Sequence, residues 1–238
     1  MKAMLFAAGL GTRLHPLTLS RPKALVEVGG KTLLEHALRH LQGNGCEGVI
    51  INVHYLASQI IEWLDKNRFE MEIAISDETD LLLDTGGGLQ KAAWFLKDAP
   101  FLIYNTDILT NMYLAEFYRR HCESDAPATL AVRRRPSSRY LLFDENGLLC
   151  GWQNAKTGET RLSRSVPNTQ ALAFSGIHAV SPAIFNFMPA DKPVFSMIDV
   201  YLHAAETQPI QAYLHDADTW FDIGTPAALE QARMKNEE

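Results

Sequence analysis

The residues best placed to do chemistry are few, and their spacing is informative. Arg13 and Lys23 lie in and beyond a loop built from Ala8, Gly9, Leu10, Gly11 and Thr12, which itself follows the apolar run Leu5-Phe6-Ala7. Ala8, Gly9 and Gly11 carry almost no side-chain bulk, so the backbone N–H groups of the loop can close on a ligand. Successive N–H groups in a tight loop form an anion-binding nest. Arg13 adds a planar fork of donors and Lys23 a point charge. A polyphosphate suits this combination. Two acidic residues stand in matching contexts: Asp107 follows Phe101-Leu102-Ile103-Tyr104, and Asp222 lies within Trp220-Phe221-Asp222-Ile223-Gly224-Thr225-Pro226. A lone aspartate at a strand end more often caps a turn. Two of them beside a phosphate loop favour Mg²⁺, which takes hard oxygen ligands and keeps several waters.

Two other phosphate motifs fail on single residues. The dinucleotide fingerprint needs a third glycine where Leu14 stands, and a P-loop ending at Gly30-Lys31-Thr32 needs its first glycine where Leu25 stands. The second stretch reads as a turn followed by a capping box, with Thr32 as N-cap and Glu35 three residues on.

The elements that must position these groups alternate through the first half. Residues 2–7 and 48–53 are short, apolar and partly β-branched, as buried parallel strands are. Between them Leu33, Leu34, Ala37, Leu38 and Leu41 recur at helical spacing, stopped by Gly43 and Gly45. The same reading predicts helices over 56–66, 88–96 and 114–121, and strands over 71–75, 101–104 and 128–132. Strand, helix, strand in repetition gives a parallel sheet covered on both faces. Ligands of such sheets bind at the carboxyl ends of the strands, where the first loop and Asp107 both fall. After about residue 136 the pattern changes. Residues 140–144 and 148–152 read as a hairpin turning at Asn146-Gly147, and 155–169 as a polar loop or flap. A strand over 171–180, helices near 182–188 and 196–207, a strand over 210–214 and a closing helix from Pro226 complete the chain.

Size and composition set the outer bounds. At 238 residues and 47% hydrophobic, with 21% charged, the chain can bury a substantial core, and no long disordered span is expected. A net charge of −6 argues against a dedicated nucleic-acid binder. The basic run Arg133-Arg134-Arg135 reads as a solvated loop after a strand, or as a help in attracting an anionic substrate. Three widely spaced cysteines without a C-x-x-C pair exclude a disulfide scaffold or cysteine zinc site and fit a reducing cytoplasm. No apolar run approaches the ~18–20 residues of a membrane-spanning helix, and the N-terminal apolar stretch lacks a good signal-cleavage site. A cytoplasmic protein without a membrane partner is expected. The sequence carries no signal of oligomeric state.

Ala7-Ala8-Gly9-Leu10-Gly11-Thr12-Arg13, with Pro16-Leu17-Thr18 and Pro22-Lys23-Ala24-Leu25, resembles the signature of sugar-1-phosphate nucleotidyltransferases. Asn105-Thr106-Asp107 resembles that family's strand-end metal motif, with Thr106 where glycine usually stands. The segment from Trp220 to Pro226 is similar to its second metal motif. Asp84-Thr85-Gly86-Gly87-Gly88 looks most like the N-acetylmuramate-1-phosphate uridylyltransferases and their near relatives, in which Glu commonly replaces Asp84.

The resemblance implies an α/β, Rossmann-like, mixed and mostly parallel central sheet flanked by helices, with a small hairpin and flap lobe on the sugar side. It implies one nucleotidyltransferase domain over 1–238, with a nucleotide-binding core to about 135 and a sugar-side lobe beyond. The chain closing soon after the last helix leaves no room for an acyltransferase or left-handed helix domain, so bifunctionality is not expected. The implied reaction joins a nucleoside triphosphate, UTP for preference, to an amino-sugar or hexose 1-phosphate and releases pyrophosphate. Guanylyl or cytidylyl transfer and a non-catalytic nucleotide-sensing subunit are the alternatives. By similarity, Asp107 and Asp222 hold Mg²⁺, Lys23 lies against the reacting phosphates and Arg13 against the departing pyrophosphate. The base is expected against the 7–9 backbone and a Gly86-Gly87 turn. Glu78 is either a contact to the base edge or a solvated loop carboxylate. On the sugar side, Gly176 in Phe174-Ser175-Gly176-Ile177-His178 gives room, and His178 is either a pocket or a core residue. The Glu-Lys pair that many relatives carry after the hairpin is absent from Gly151-Trp152-Gln153-Asn154, which leaves Arg139, Asn154 and Lys192 as candidate replacements.

Overall fold

The apolar runs expected as buried strands form the middle of one large sheet. In the computed structural model, which describes residues 1–236, β1 (Lys2–Phe6) leads through 3₁₀ turns at Thr12–Leu14 and Lys23–Leu25 to a short hairpin of β2 (Glu27–Val28) and β3 (Lys31–Thr32). Thr32 then caps α1 (Leu33–Gly43), its Oγ1 accepting from Glu35 N–H at 3.0 Å. Next come β4 (Gly48–Val53), α2 (Ala57–Lys66), β5 (Glu72–Asp77), α3 (Asp84–Lys91), α4 (Ala93–Leu96), β6 (Phe101–Asn105), β7 (Ile108–Thr110) and α5 (Leu114–Cys122). The second half runs β8 (Ala128–Arg133), β9 (Arg139–Phe143), β10 (Leu149–Asn154), β11 (Thr160–Leu162), β12 (Gln170–Val180), a 3₁₀ helix Pro182–Phe187, α6 (Met197–Ala205), β13 (Ile210–Leu214), β14 (Trp220–Asp222) and α7 (Pro226–Asn236).

Strands β5, β4, β1 and β6 lie side by side in parallel, as the alternating pattern predicts. Both faces are covered, and successive side chains go to opposite sides. Met4, Ile50 and Ile103 pack with Leu89 of α3 and Val200 of α6, whereas Leu5, Ile51 and Leu102 pack with Leu38 of α1 and Phe117 of α5. Each such side chain contributes about 1.5–3 kcal/mol by leaving water. A third, smaller cluster seats Leu229 and Ala232 of α7 on Val26, Val28 and Ile223.

β8 does not extend the parallel row. The long strand β12 inserts between β6 and β8, antiparallel to both, and β13 adds in parallel beyond β8. The first residues of β12 pair instead with β9, from which β10 and β11 continue the hairpin lobe. The sheet is therefore mixed around a parallel centre. Where β12 passes from one neighbour to the other its register shifts between Phe174 and His178. Gly176 takes φ 76° inside this bulge, where an added Cβ would lie 2.8 Å from Asn105 Nδ2.

Several boundaries differ from the expectation. The helix expected over 88–96 begins at Asp84, runs through three glycines and divides at Ala92. The segment near 182–188 is a 3₁₀ helix, the polar flap contains β11, and the two-stranded ribbon of β7 and β14 was not anticipated. Among the described residues no helix is long and apolar enough to cross a membrane.

Candidate active site

The loop after β1 is shaped from several directions. Gly11 is left-handed at φ 66°, and a Cβ there would meet Lys23 Cβ and Thr18 Cγ2 at 3.1 Å each. Fully buried Thr18 donates its hydroxyl to Gly11 O at 2.8 Å, which fixes the turn. At the strand end, Ala7 N–H donates to Asn52 Oδ1 at 2.8 Å, and Asn52 Nδ2 donates to Glu78 Oε1 at 2.8 Å. Thr106, the departure from the family glycine, donates its hydroxyl to Phe6 O at 2.8 Å and so ties β6 to β1 just before Asp107.

The two aspartates come together through the β7–β14 ribbon. Asp222 faces Ile108 across it, and Ile223 N–H donates to Asp107 O at 2.9 Å. Lys23 Nζ donates to Asp107 Oδ2, closing an ion pair between loop and strand end. Asp222 Oδ1 is buried with no hydrogen-bond partner. Burial pushes its carboxyl above the usual range, Asp107 adding to the effect while Lys23, Arg13 and Arg135 oppose it. Gly224 is needed for this approach, because a Cβ there would stand 2.7 Å from both Arg13 Nη2 and Asp222 Oδ1.

These elements border a cavity of about 620 Å³. One wall is the continuous run from Phe6 to Arg13 with Lys23 and Ala24. The other sides come from Asn52, the strand end Asn105 to Asp107, Leu82, Asp84, Thr85, Val194 and Gly224. The chemistry is that of an anion site with backbone donors, the two cations Arg13 and Lys23, and Asp107 in its wall, with Asp222 beside Asp107 across the ribbon. An orphaned, buried carboxylate oxygen beside a second aspartate is a donor set that fits Mg²⁺, since that ion binds through one or two carboxylates plus substrate phosphates.

Residues 2–238 match the family described as Nucleotidyl transferase. The chain belongs to the nucleotidyl transferase family. Its relatives there include N-acetylmuramate alpha-1-phosphate uridylyltransferase of Neisseria meningitidis serogroup B, 28% identical over 98% of this chain and 97% of that one. Mannose-1-phosphate guanylyltransferase catalytic subunit beta of Drosophila melanogaster is 30% identical over 94% of this chain, which spans 60% of that protein's length. A Caulobacter vibrioides protein with the Neisseria relative's name is 44% identical over 44% of this chain and 45% of its own length. Among solved structures, HddC from Yersinia pseudotuberculosis complexed with GMP-PN superposes with a TM-score of 0.79 at 21% identity, covering 98% of each chain. UDP-glucose pyrophosphorylase from Acinetobacter baumanii gives 0.81 at 18% identity, covering 98% of this chain and 92% of that one. These two similarities establish the shared fold.

In this nucleotidyl transferase the phosphate-loop residues, Arg13, Lys23 and Asp107 do line one cavity; other expected residues fall elsewhere. Gly86 and Gly87 form no turn. They lie buried inside α3, where added Cβ atoms would meet Phe195 and Pro193 O at 2.3 and 2.0 Å. Glu78 is neither solvated nor at the cavity surface: it is 1% exposed, with one oxygen on Asn52 and the other accepting from Leu83 N–H at 3.3 Å. Asp84, by contrast, does border the cavity. His178 is a core histidine, its Nδ1 at 2.5 Å from the Tyr201 hydroxyl and its pKa pushed down to about 3 by burial. Asn154 closes a local turn, its Oδ1 accepting from Lys156 N–H at 3.0 Å. Arg139, opposite Asn154 in the β9–β10 pairing, and Lys192, in the segment before α6, are exposed and do not border the cavity, although Val194 does. Gly176 sits against Asn105 at the cavity edge.

The basic run is not simply a solvated loop. Arg133 donates to Asp218 O and Asp216 O, and Arg134 pairs with the Asp216 carboxylate at 2.9 Å. Arg135 is half-buried over the ring of Trp220. Sequence reasoning missed its distinct position, and only the proximity of Trp220 to Asp222 in the second metal motif hinted at it.

Proposed function

We propose that this chain is a Mg²⁺-dependent sugar-1-phosphate nucleotidyltransferase, taking UTP for preference and an amino-sugar or hexose 1-phosphate. The observation that carries the reading is the phosphate loop, Lys23 and Asp107 lining one cavity, with Asp222 set beside Asp107 by the β7–β14 pairing. The near full-length match to a uridylyltransferase supports UTP, and the match to a guanylyltransferase makes GTP the second nucleotide to try.

In this reading the attacking phosphate oxygen is already ionised at neutral pH, so no general base is needed. A bond forms from that oxygen to the α-phosphorus as the bond to the β-phosphate bridging oxygen breaks, and pyrophosphate leaves. The obstacle is bringing two anions together and holding them in line. The N–H groups between Gly9 and Thr12 cradle the triphosphate. Lys23 offsets charge on the reacting phosphates, and Arg13, braced against Gly224, offsets it on the departing group. Asp107 and Asp222 would hold Mg²⁺, which supplies charge neutralisation to the nucleotide phosphates when bound.

A panel of UTP, GTP and CTP against glucose, mannose, N-acetylglucosamine and N-acetylmuramate 1-phosphates, with Mg²⁺, tests this by pyrophosphate release. Release with a UTP pair above all others is expected. No release with any pair would overturn transfer and favour a nucleotide-sensing role.

A further inference from the structure

Arg135 is held in a way that its two neighbours in the basic run are not. Its guanidinium carbon lies 4.3 Å from the centroid of the Trp220 ring. The indole is itself fixed, Nε1 donating to Ser175 O at 3.0 Å. Nη2 donates to Phe174 O at 2.9 Å and Nη1 to Pro136 O at 3.3 Å, whereas the buried Nε has no partner. Among the described residues no carboxylate forms an ion pair with it, although Arg134 one position earlier has Asp216. A half-buried guanidinium with two of its five donors on carbonyl oxygens keeps its positive charge without an ion-pair partner.

The place of that charge is informative. Trp220 and Asp222 are two residues apart on β14, so their side chains share a face of the strand. A cation over Trp220 therefore stands on the Asp222 side of the ribbon. Arg13 and Lys23 reach the same region from the loop after β1, whereas Arg135 reaches it from the end of β8. The hairpin stretch Gly151-Trp152-Gln153-Asn154 offers no cation of its own.

We propose that Arg135, laid flat on Trp220, binds the phosphate of the incoming sugar 1-phosphate and sets its approach to the nucleotide. The assignment rests on the transfer reading above and adds a residue to it. A planar guanidinium suits this task, because each Nη carries a second N–H that can meet a phosphate oxygen while the first stays on Pro136 O or Phe174 O.

Steady-state kinetics of Arg135→Gln with the substrate pair that the parent turns over tests the assignment. The KM for the sugar 1-phosphate rises about ten-fold or more, as for loss of a hydrogen bond to a charged group, and the KM for the nucleotide stays within about two-fold. Arg135→Lys recovers part of the loss. An unchanged sugar-phosphate KM, or an equal rise in both KM values, overturns the proposal, the second by placing Arg135 on the triphosphate or in the fold. Should Arg135→Gln not fold, the Lys variant carries the test, since a point charge in place of the fork still raises that KM alone.

A calorimetric arm separates this idea from the transfer reading. Glucose, mannose and N-acetylglucosamine 1-phosphates are titrated into parent and variant with Mg²⁺ and a non-hydrolysable nucleotide present. Parent-only binding without turnover leaves the Arg135 site standing and the transfer reading fallen. No binding to the parent overturns the site.

Discussion

Lys23 Nζ donates to the Asp107 carboxylate, tying the phosphate loop to the end of β6 by an ion pair. The two side chains are 15% and 22% exposed, so the pair is shielded without being fully dry. Such a pair is worth about 1 kcal/mol at most to the fold. Its value lies in holding a cation where phosphates are to react.

Lys23→Ala is therefore expected to lower kcat by about 10²–10³-fold, the usual cost of losing one preorganised electrostatic group. The melting temperature should move by no more than about 4 °C. Pyrophosphate release and a thermal melt on the same sample check both. Near-parent turnover would remove Lys23 from the reaction.

Asp222→Asn separates metal from fold. The native oxygen Oδ1 is buried without a partner, so removing its charge costs the free protein little. The variant should melt no lower than the parent, yet Mg²⁺ should raise the parent's melting temperature and leave the variant's unchanged. EDTA should stop pyrophosphate release by the parent until Mg²⁺ is restored. An equal Mg²⁺ response in both proteins would move the metal elsewhere.

Glycines in the two glycine-bearing segments should respond in opposite ways. Gly87→Ala places a Cβ 2.0 Å from Pro193 O, a backbone atom that cannot step aside. A loss of about 1–3 kcal/mol in urea unfolding is expected from this overpacking. Nothing lies within 4 Å of a Cβ on Gly9, so Gly9→Ala should unfold like the parent while its KM for the nucleotide rises. Equal stability of the two variants would contradict the packing of α3 on the segment around Pro193.

Acid lability follows from buried histidines. Burial lowers His121 to about 4 and His178 to about 3, from 6.5. These residues are neutral in the fold, so below 6.5 the unfolded chain binds protons that the folded chain does not. Their contribution is complete above pH 6.5 and is lost as pH falls, down to about 4 for His121 and about 3 for His178. Each histidine adds a slope of up to about 1.4 kcal/mol per pH unit. Urea unfolding at pH 7, 6 and 5 measures the slope, and His121→Gln should reduce it by one proton's worth. A flat profile would mean that these rings titrate freely.

What could be read from the sequence was whatever local chemistry determines. The small residues and cations after β1, the aspartates at strand ends and the Asn146-Gly147 turn each carry their meaning within a few positions. The misreadings share a different cause. Gly86 and Gly87 disfavour a helix by propensity, yet the helix forms because their missing side chains admit Phe195 and Pro193 from more than a hundred residues away. Glu78 sits in a run of acidic residues that looks solvated, but its partner Asn52 lies on β4, distant in sequence. Arg135 is one of three adjacent arginines until Trp220 arrives from the far end of the chain. The β7–β14 ribbon is three residues long on each side, too short for any periodicity to show.

The position of β12 also sets a timetable. Because β12 lies between β6 and β8, the strands that carry the phosphate loop and Asp107 keep one bare backbone edge until residue 180 has left the ribosome. At least 180 residues of the sequence must be synthesised before that edge is sealed. Until then the nascent chain displays an apolar strand open to pairing with any other extended segment. This protein is thus built to fold late in its own translation, and its exposure to aggregation and to chaperones is greatest before β12 appears.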